Sequence, residues 1–203
     1  MYPAKIVYIN LDRREDRRIH MNSLLEKYGM QADRFAAIEH PYGLYGCGLS
    51  HLAVLKMARD QGWDNVLILE DDITFKCNPN ELNGYFAQIF AESGWDVFML
   101  DMNLRESWQD SLSKNANMFR IKFAHCAGAY IVKSHYYDKL IELYEDALPK
   151  LERTQMHWVY ANDAVWTRLQ EVDQWWGFRR QICIQMGGYS DTKNMITGEG
   201  GSI

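Results

Sequence analysis

The stretch "NVLILEDDITF", residues 65–75, constrains this chain more than any other. Its apolar run predicts a buried strand, and that strand ends in three consecutive acids, Glu70, Asp71 and Asp72. Along an extended chain Glu70 and Asp72 point to one side and Asp71 to the other. Neighbouring carboxylates repel each other unless a cation stands between them or one takes up a proton. The end of this strand therefore calls for a cation.

Strand and helix signals alternate through the first half of the chain. "KIVYINL" (5–11) reads as a first buried strand. Asp12 suits a helix N-cap with Glu15 three residues on, and the helix is predicted to run through Ile19, Leu24, Leu25 and Tyr28 to Gly29. An extended piece, "DRFAAI", follows. Gly43, Gly46 and Gly48 predict a loop leading into a helix over "LSHLAVLKMARDQG". After the acidic strand come a helix around "ELNGYFAQIFAES" and strands at "WDVFML", "MFRIKF" and "AGAYIVK". A helix at "SHYYDKLIELYEDAL" has Ser134 as its expected N-cap, a second covers "NDAVWTRLQEV", and "FRRQICIQ" holds a late strand.

Residues 101–117 are polar and predict a loop or flap. The Gly-rich stretch 192–203 predicts a flexible C-terminal tail. Strands alternating with helices imply one α/β domain over residues 1–191, with a mostly parallel central sheet flanked by helices. Such sheets bind ligands at the carboxyl ends of their strands, where "INLDR" and "LEDD" both lie.

A net charge of -5 without any basic block argues against nucleic acid as a partner. The four cysteines form no CxxC pair and read as reduced thiols. The N-terminus runs into a strand without a signal-peptide pattern, and no apolar stretch is long enough to span a bilayer. The expected location is cytoplasmic, with no transmembrane segment and at most peripheral contact at an inner membrane surface.

A carboxylate cluster at a strand end suits Mg²⁺ or Mn²⁺, hard ions that take oxygen ligands and leave positions for phosphate. The plain alternative is a polar turn. "NLDRREDRR" (10–18) joins a strand end, a helix start and four arginines. Guanidinium groups pair with phosphate and helix N-termini attract anions, which makes Asn10, Asp12 and Arg13 candidates for nucleotide binding. Arg17 and Arg18 read as solvated surface residues. In "GCGLSH" (46–51) the small residues place Ser50 and His51 in a helix first turn able to face an anion; His51 either hydrogen-bonds a ligand there or, like the later His125, is a structural histidine. Asp163, in "YANDAVW", is either a general base held in a cleft or an acid stabilising its own helix start.

In this order the segments "VYINLDRREDRR", "FAAIEH", "GCGLSHLAVLKMA", "NVLILEDDI", "AGAYIVK", "NDAVW" and "IQMGGYSD" resemble glycosyltransferase family 25. That family includes bacterial lipopolysaccharide galactosyltransferases and the domains that galactosylate collagen hydroxylysine. The resemblance implies a single nucleotide-sugar transferase domain of the GT-A type. It also implies inverting transfer from a UDP-sugar, most often UDP-galactose, to a hydroxyl of a glycan or hydroxylysine-type acceptor, assisted by Mn²⁺ or Mg²⁺. By that match Asp72 is the principal metal ligand, with Glu70 as a further ligand and Asp71 helping through metal, water or ribose. Asn10, Leu11 and Arg13 line the nucleotide pocket, and Asp163 is the base near the acceptor.

Two other classes fit parts of the pattern. A nucleotidyltransferase making an NDP-sugar would carry a Gly-rich loop after its first strand, where this chain has "NLDRRED". A non-catalytic nucleotide- or glycan-binding module would have no need of the intact "EDD".

Overall fold

The apolar runs KIVYIN and NVLILE form parallel neighbours, β1 (Lys5–Asn10) and β3 (Asn65–Glu70), with Ile9 opposite Glu70. Side chains alternate along each strand. Ile6, Tyr8, Leu67 and Leu69 enter one core, and Val7, Ile9, Val66 and Ile68 enter the other. Helices α1 (Glu15–Tyr28) and α3 (Pro79–Ala91) close the first core through Met21, Leu24, Leu25, Phe86 and Ile89. Helices α2 (Gly43–Asp60) and α4 (Tyr137–Thr154) close the second through Val54, Leu55, Leu140 and Tyr144. A strand buried on both faces has no polar face to show, which is why these segments read as unbroken apolar runs.

The computed structural model describes residues 2–108, 115–191 and 195–198. Its main sheet also contains β2 (Asp33–Ala36), β5 (Val97–Met99), β6 (Asn103–Ser107), β7 (Met118–His125), β8 (Ala129–Lys133) and β9 (Trp175–Phe178). The order is β2-β1-β3-β8-β5-β9-β7-β6. Only β7 and β8 run against the other six strands, so the expected α/β sheet is mostly parallel in direction. Those two reversed strands nonetheless make four of its seven neighbour pairings antiparallel. Short β4 (Ile73–Phe75) pairs with β10 (Cys183–Gln185), and β11 (Gly188–Ser190) pairs with β12 (Met195–Thr197).

Several local expectations change. Asp12 does not cap α1, because its carboxylate pairs with Arg34 at 2.5 Å and the helix begins at Glu15 with no side-chain cap. Ile19 is 60% exposed, whereas Gly29 closes the helix in the left-handed conformation, as expected. Ser134 opens a 3-10 turn without capping it. The expected helix over 162–172 is two short ones, α6 (Asn162–Val165) and α7 (Thr167–Gln170), preceded by α5 (His157–Tyr160). Part of the 101–117 loop is strand β6, and residues 195–197 of the expected tail are strand β12. Residues 109–114, 192–194 and 199–203 lie outside the described residues. No helix among the described residues is long and apolar enough to cross a membrane.

The largest local correction concerns the glycines. Gly43, Gly46 and Gly48 are not a loop but the first turns of α2. A Cβ on Gly46 would come within 2.6 Å of the Ile38 carbonyl oxygen, and one on Gly48 within 2.4 Å of Leu148. These residues are small because α2 is pressed against the chain after β2 and against α4. Gly46→Ala is therefore expected to destabilise by about 1–3 kcal/mol despite alanine's better helix propensity. Gly84→Ala, on the exposed side of α3 with open space around it, should stabilise by about 0.5–1 kcal/mol. Urea unfolding of the two variants measures both signs.

Candidate active site

The topology brings four chain segments to one edge of the sheet. Parallel pairing sets the ends of β1 and β3 side by side, so Asn10 adjoins the acidic turn. Antiparallel β8 delivers the Cys126–Gly128 loop to the same edge, where the Glu70 amide donates to the Gly128 carbonyl at 2.8 Å. The end of β5 adds Asp101, whose amide donates to Ala129 O. A cavity of about 810 Å³ opens over these ends, lined in part by Leu11, Arg13, Arg17, Cys47, Asp72 and Asp163. Its size is within the usual range for small-molecule sites, roughly 300–1,000 Å³.

Strand β3 stops at Glu70, so the alternation expected for the three acids stops with it. Asp71 and Asp72 occupy a turn and both face Arg17, whose Nη1 donates to Asp71 Oδ1 at 2.8 Å and lies 3.0 Å from Asp72 Oδ2. The cation called for by the sequence is thus partly built in. Arg17 is not the solvated residue it was expected to be. It lies four residues before Met21 and seven before Leu24, on the buried stripe of α1, and that spacing was the available signal. Asn10 donates to Asp71 Oδ2 at 2.7 Å and is itself held by Arg34. Glu70 is set apart: Gln185 donates to its Oε2 at 2.6 Å, and its Oε1 lies 3.3 Å from His51 Nε2.

One guanidinium does not balance this much negative charge. Burial, then Glu70, Asp71 and Asp101, push the Asp72 carboxyl up to about 7, against the pull of Arg17. Burial also raises Asp101 to about 6, although the Cys126 thiol donates to it at 2.9 Å. Burial raises Asp71 against the pull of Arg17. Glu70 moves down, because the His51 and Gln185 contacts outweigh its burial. Asp72 Oδ1 is buried and has no hydrogen-bond partner among the described residues. An unpartnered buried carboxylate oxygen in an anionic pocket suits a hard divalent cation.

The other expected residues divide between pocket and scaffold. Leu11 and Arg13 line the cavity, whereas Asp12 is on the surface with Arg34. Ser50 belongs to both: it lines the cavity, and within α2 it donates to Gly46 O and accepts from the Ile38 amide, both at 2.8 Å, fastening α2 to the chain after β2. Asp163 reaches the cavity and its Oδ2 accepts the Cys126 amide at 3.1 Å. Cys126 holds that position at φ 87°, a strained conformation for a residue with a side chain. The late "GGYSD" stretch is tied across the mouth, with Asp191 paired to Arg13 and Arg14 and the Tyr189 carbonyl accepting from Arg17 at 2.8 Å. Asp101 and Cys126 went unrecognised in the sequence.

The family model described as Glycosyltransferase family 25 (LPS biosynthesis protein) matches residues 41–152, more than half of the chain. The chain belongs to this family. A Glycosyltransferase 25 family member of Drosophila melanogaster is 33% identical, over 36% of this chain and 16% of its own length. Its counterpart in Drosophila pseudoobscura pseudoobscura is 34% identical, over 34% and 16%. The aligned part of this chain thus spans about a sixth of those relatives. In fold the chain is similar to the crystal structure of A197 from STIV, with a TM-score of 0.51 at 11% identity, over 97% of this chain and 93% of that one. The family 25 match takes in Cys47, His51, the acidic turn, Asp101 and Cys126. Arg17, Asp163 and Gln185 join them through tertiary packing alone.

The charge imbalance in this family 25 site has a measurable consequence. Asp72 holds its proton to about pH 7 in the folded chain, against an ordinary value of 3.8. The folded state then binds more protons than the unfolded one between those values, so stability falls as pH rises through that window. Without divalent metal, Asp72→Asn should match wild type near pH 4 and exceed it near pH 8 by on the order of 3 kcal/mol. Urea titrations at the two pH values test this.

Proposed function

We propose that this chain is an inverting glycosyltransferase that moves a sugar, galactose in the first instance, from a UDP-sugar to a hydroxyl of a glycan or hydroxylysine-type acceptor. The observation that carries the reading is the buried, unpartnered Asp72 Oδ1 in a cavity that also contains Asp163. Asp72 and Asp71 would hold Mn²⁺ or Mg²⁺, while Glu70 faces away from them toward His51 and Gln185. A divalent ion bound there supplies charge neutralisation to the departing diphosphate.

The chain's own groups do the rest. Leu11 and Arg13 flank the nucleotide, and Arg17, already beside Asp71 and Asp72, is placed to pair with a phosphate oxygen once a metal relieves it. Asp163 keeps one oxygen on the Cys126 amide and offers the other to the acceptor hydroxyl. As the acceptor oxygen attacks the anomeric carbon, its proton passes to Asp163 and the bond to the diphosphate oxygen breaks, leaving its electron pair on UDP.

Titration calorimetry with UDP and Mn²⁺, followed by a UDP-release assay across UDP-sugars and acceptors, tests these roles separately. Asp72→Asn should abolish metal-dependent UDP binding. Asp163→Asn should leave UDP affinity intact and reduce transfer by about 10²–10⁴-fold. Equal UDP affinity in wild type and Asp72→Asn refutes the metal assignment. Tight UDP binding without turnover of any donor would mark a binding module instead.

A further inference from the structure

We propose that Cys47, His51 and Glu70 form a second metal site, for a borderline-soft divalent ion, Zn²⁺ above all, on the floor of the same cavity. Cys47 and His51 stand four residues apart on α2, one turn above each other, and Glu70 meets them from the end of β3. Their ligating atoms all lie within 4.8 Å of one another. The Glu70 Oε1 to His51 Nε2 separation is 3.3 Å and Oε1 to Cys47 Sγ is 3.7 Å. Zinc bonds of about 2.0–2.1 Å to nitrogen and oxygen and about 2.3 Å to sulfur, at tetrahedral angles, put such pairs about 3.3 and 3.6 Å apart. The two edges that meet at Glu70 are therefore close to those of a zinc tetrahedron before any metal enters, and the third, between Cys47 and His51, is no longer than 4.8 Å.

The surroundings of each ligand strengthen the case. Metal-binding histidines usually engage their other ring nitrogen, and His51 Nδ1 lies 2.8 Å from the Tyr130 hydroxyl, with the imidazole completely buried. Gln185 holds the second oxygen of Glu70, and Asn162 Nδ2 lies 3.8 Å from Cys47 Sγ. With Nε2 on the metal, Nδ1–H donates to Tyr130, and the Tyr130 proton turns toward the neighbouring buried Tyr144 hydroxyl. Thiolate, carboxylate and neutral imidazole leave a dication with no net charge, and the proton displaced from Cys47 goes to solvent. All three residues line the cavity, so a fourth ligand comes from water or a bound molecule there. The donor atoms separate this site from its neighbour: sulfur and nitrogen favour Zn²⁺, whereas the oxygens of Asp71 and Asp72 favour Mg²⁺ or Mn²⁺. The inference does not rest on the glycosyltransferase reading.

Cobalt(II) is the probe, because thiolate ligation gives it a near-ultraviolet charge-transfer band and tetrahedral geometry gives it intense visible bands. The reduced, chelator-treated full chain is expected to bind one equivalent of Co²⁺ with both features and to lose them when Zn²⁺ is added. Cys47→Ser should remove the charge-transfer band, and Cys126→Ser, which alters the other thiol of the cavity, should keep it. Should Cys47→Ser fail to fold, Tyr130→Phe provides the second reading, with Co²⁺ binding weakened by about 10–100-fold. No charge-transfer band in wild type, a band that survives Cys47→Ser or disappears in Cys126→Ser, or unchanged affinity in Tyr130→Phe would overturn the proposal. A simple His51–Glu70 hydrogen bond would then account for the geometry.

Discussion

Four carboxylates, Glu70, Asp71, Asp72 and Asp101, are brought together at one edge of the sheet, and a single guanidinium, Arg17, stands between two of them. Buried like charges are tolerated only where each is paired, hydrogen-bonded or protonated. Most of the local architecture answers that requirement. Asn10 and Arg17 hold Asp71, His51 and Gln185 hold Glu70, and the Cys126 thiol holds Asp101. Asp72 is the group left short, with one oxygen unpartnered, and it is there that the pocket has most to gain from a cation.

The close approach of α2 determines how these acids are shared. Gly46 and Gly48 let the helix press against Ile38 and Leu148, which carries Cys47 and His51 down to the end of β3. Glu70 is drawn to that side, while the turn after it leaves Asp71 and Asp72 with Arg17. One tripeptide thus serves two chemically different environments, Glu70 beside the Cys47 thiol and the His51 imidazole, Asp71 and Asp72 beside the Arg17 guanidinium. A reading of "EDD" as a single cluster misses this division, because the division comes from what packs against each side.

Much of the fold was legible because its strands are buried on both faces. The runs at 5–10, 65–70 and 129–133 had no other place to go, and the stop at Gly29 follows from the freedom of glycine in the left-handed region. Element starts were less legible. Asp12, Ser134 and the glycines before residue 49 carry the right residue types for caps and loops, but ion pairing with Arg34 and crowding by Ile38 and Leu148 decided otherwise. Strand β9, "WWGF", passed unnoticed, since two tryptophans and a glycine give no clear period.

For the site, the sequence by itself determined that acids would end a buried strand, that an arginine-rich turn would follow the first one, and that Asp163 would open a helix. Those are properties of short segments, set by local periodicity and residue chemistry. Only the tertiary structure decided which acid meets which partner: Arg17 with Asp71 and Asp72, Glu70 with His51 and Gln185, Asp163 with the Cys126 amide. Each of those pairs joins residues 19 or more positions apart, brought together by strand order and the reversed direction of β8. Contacts of that kind depend on where whole elements pack, and no local pattern encodes them.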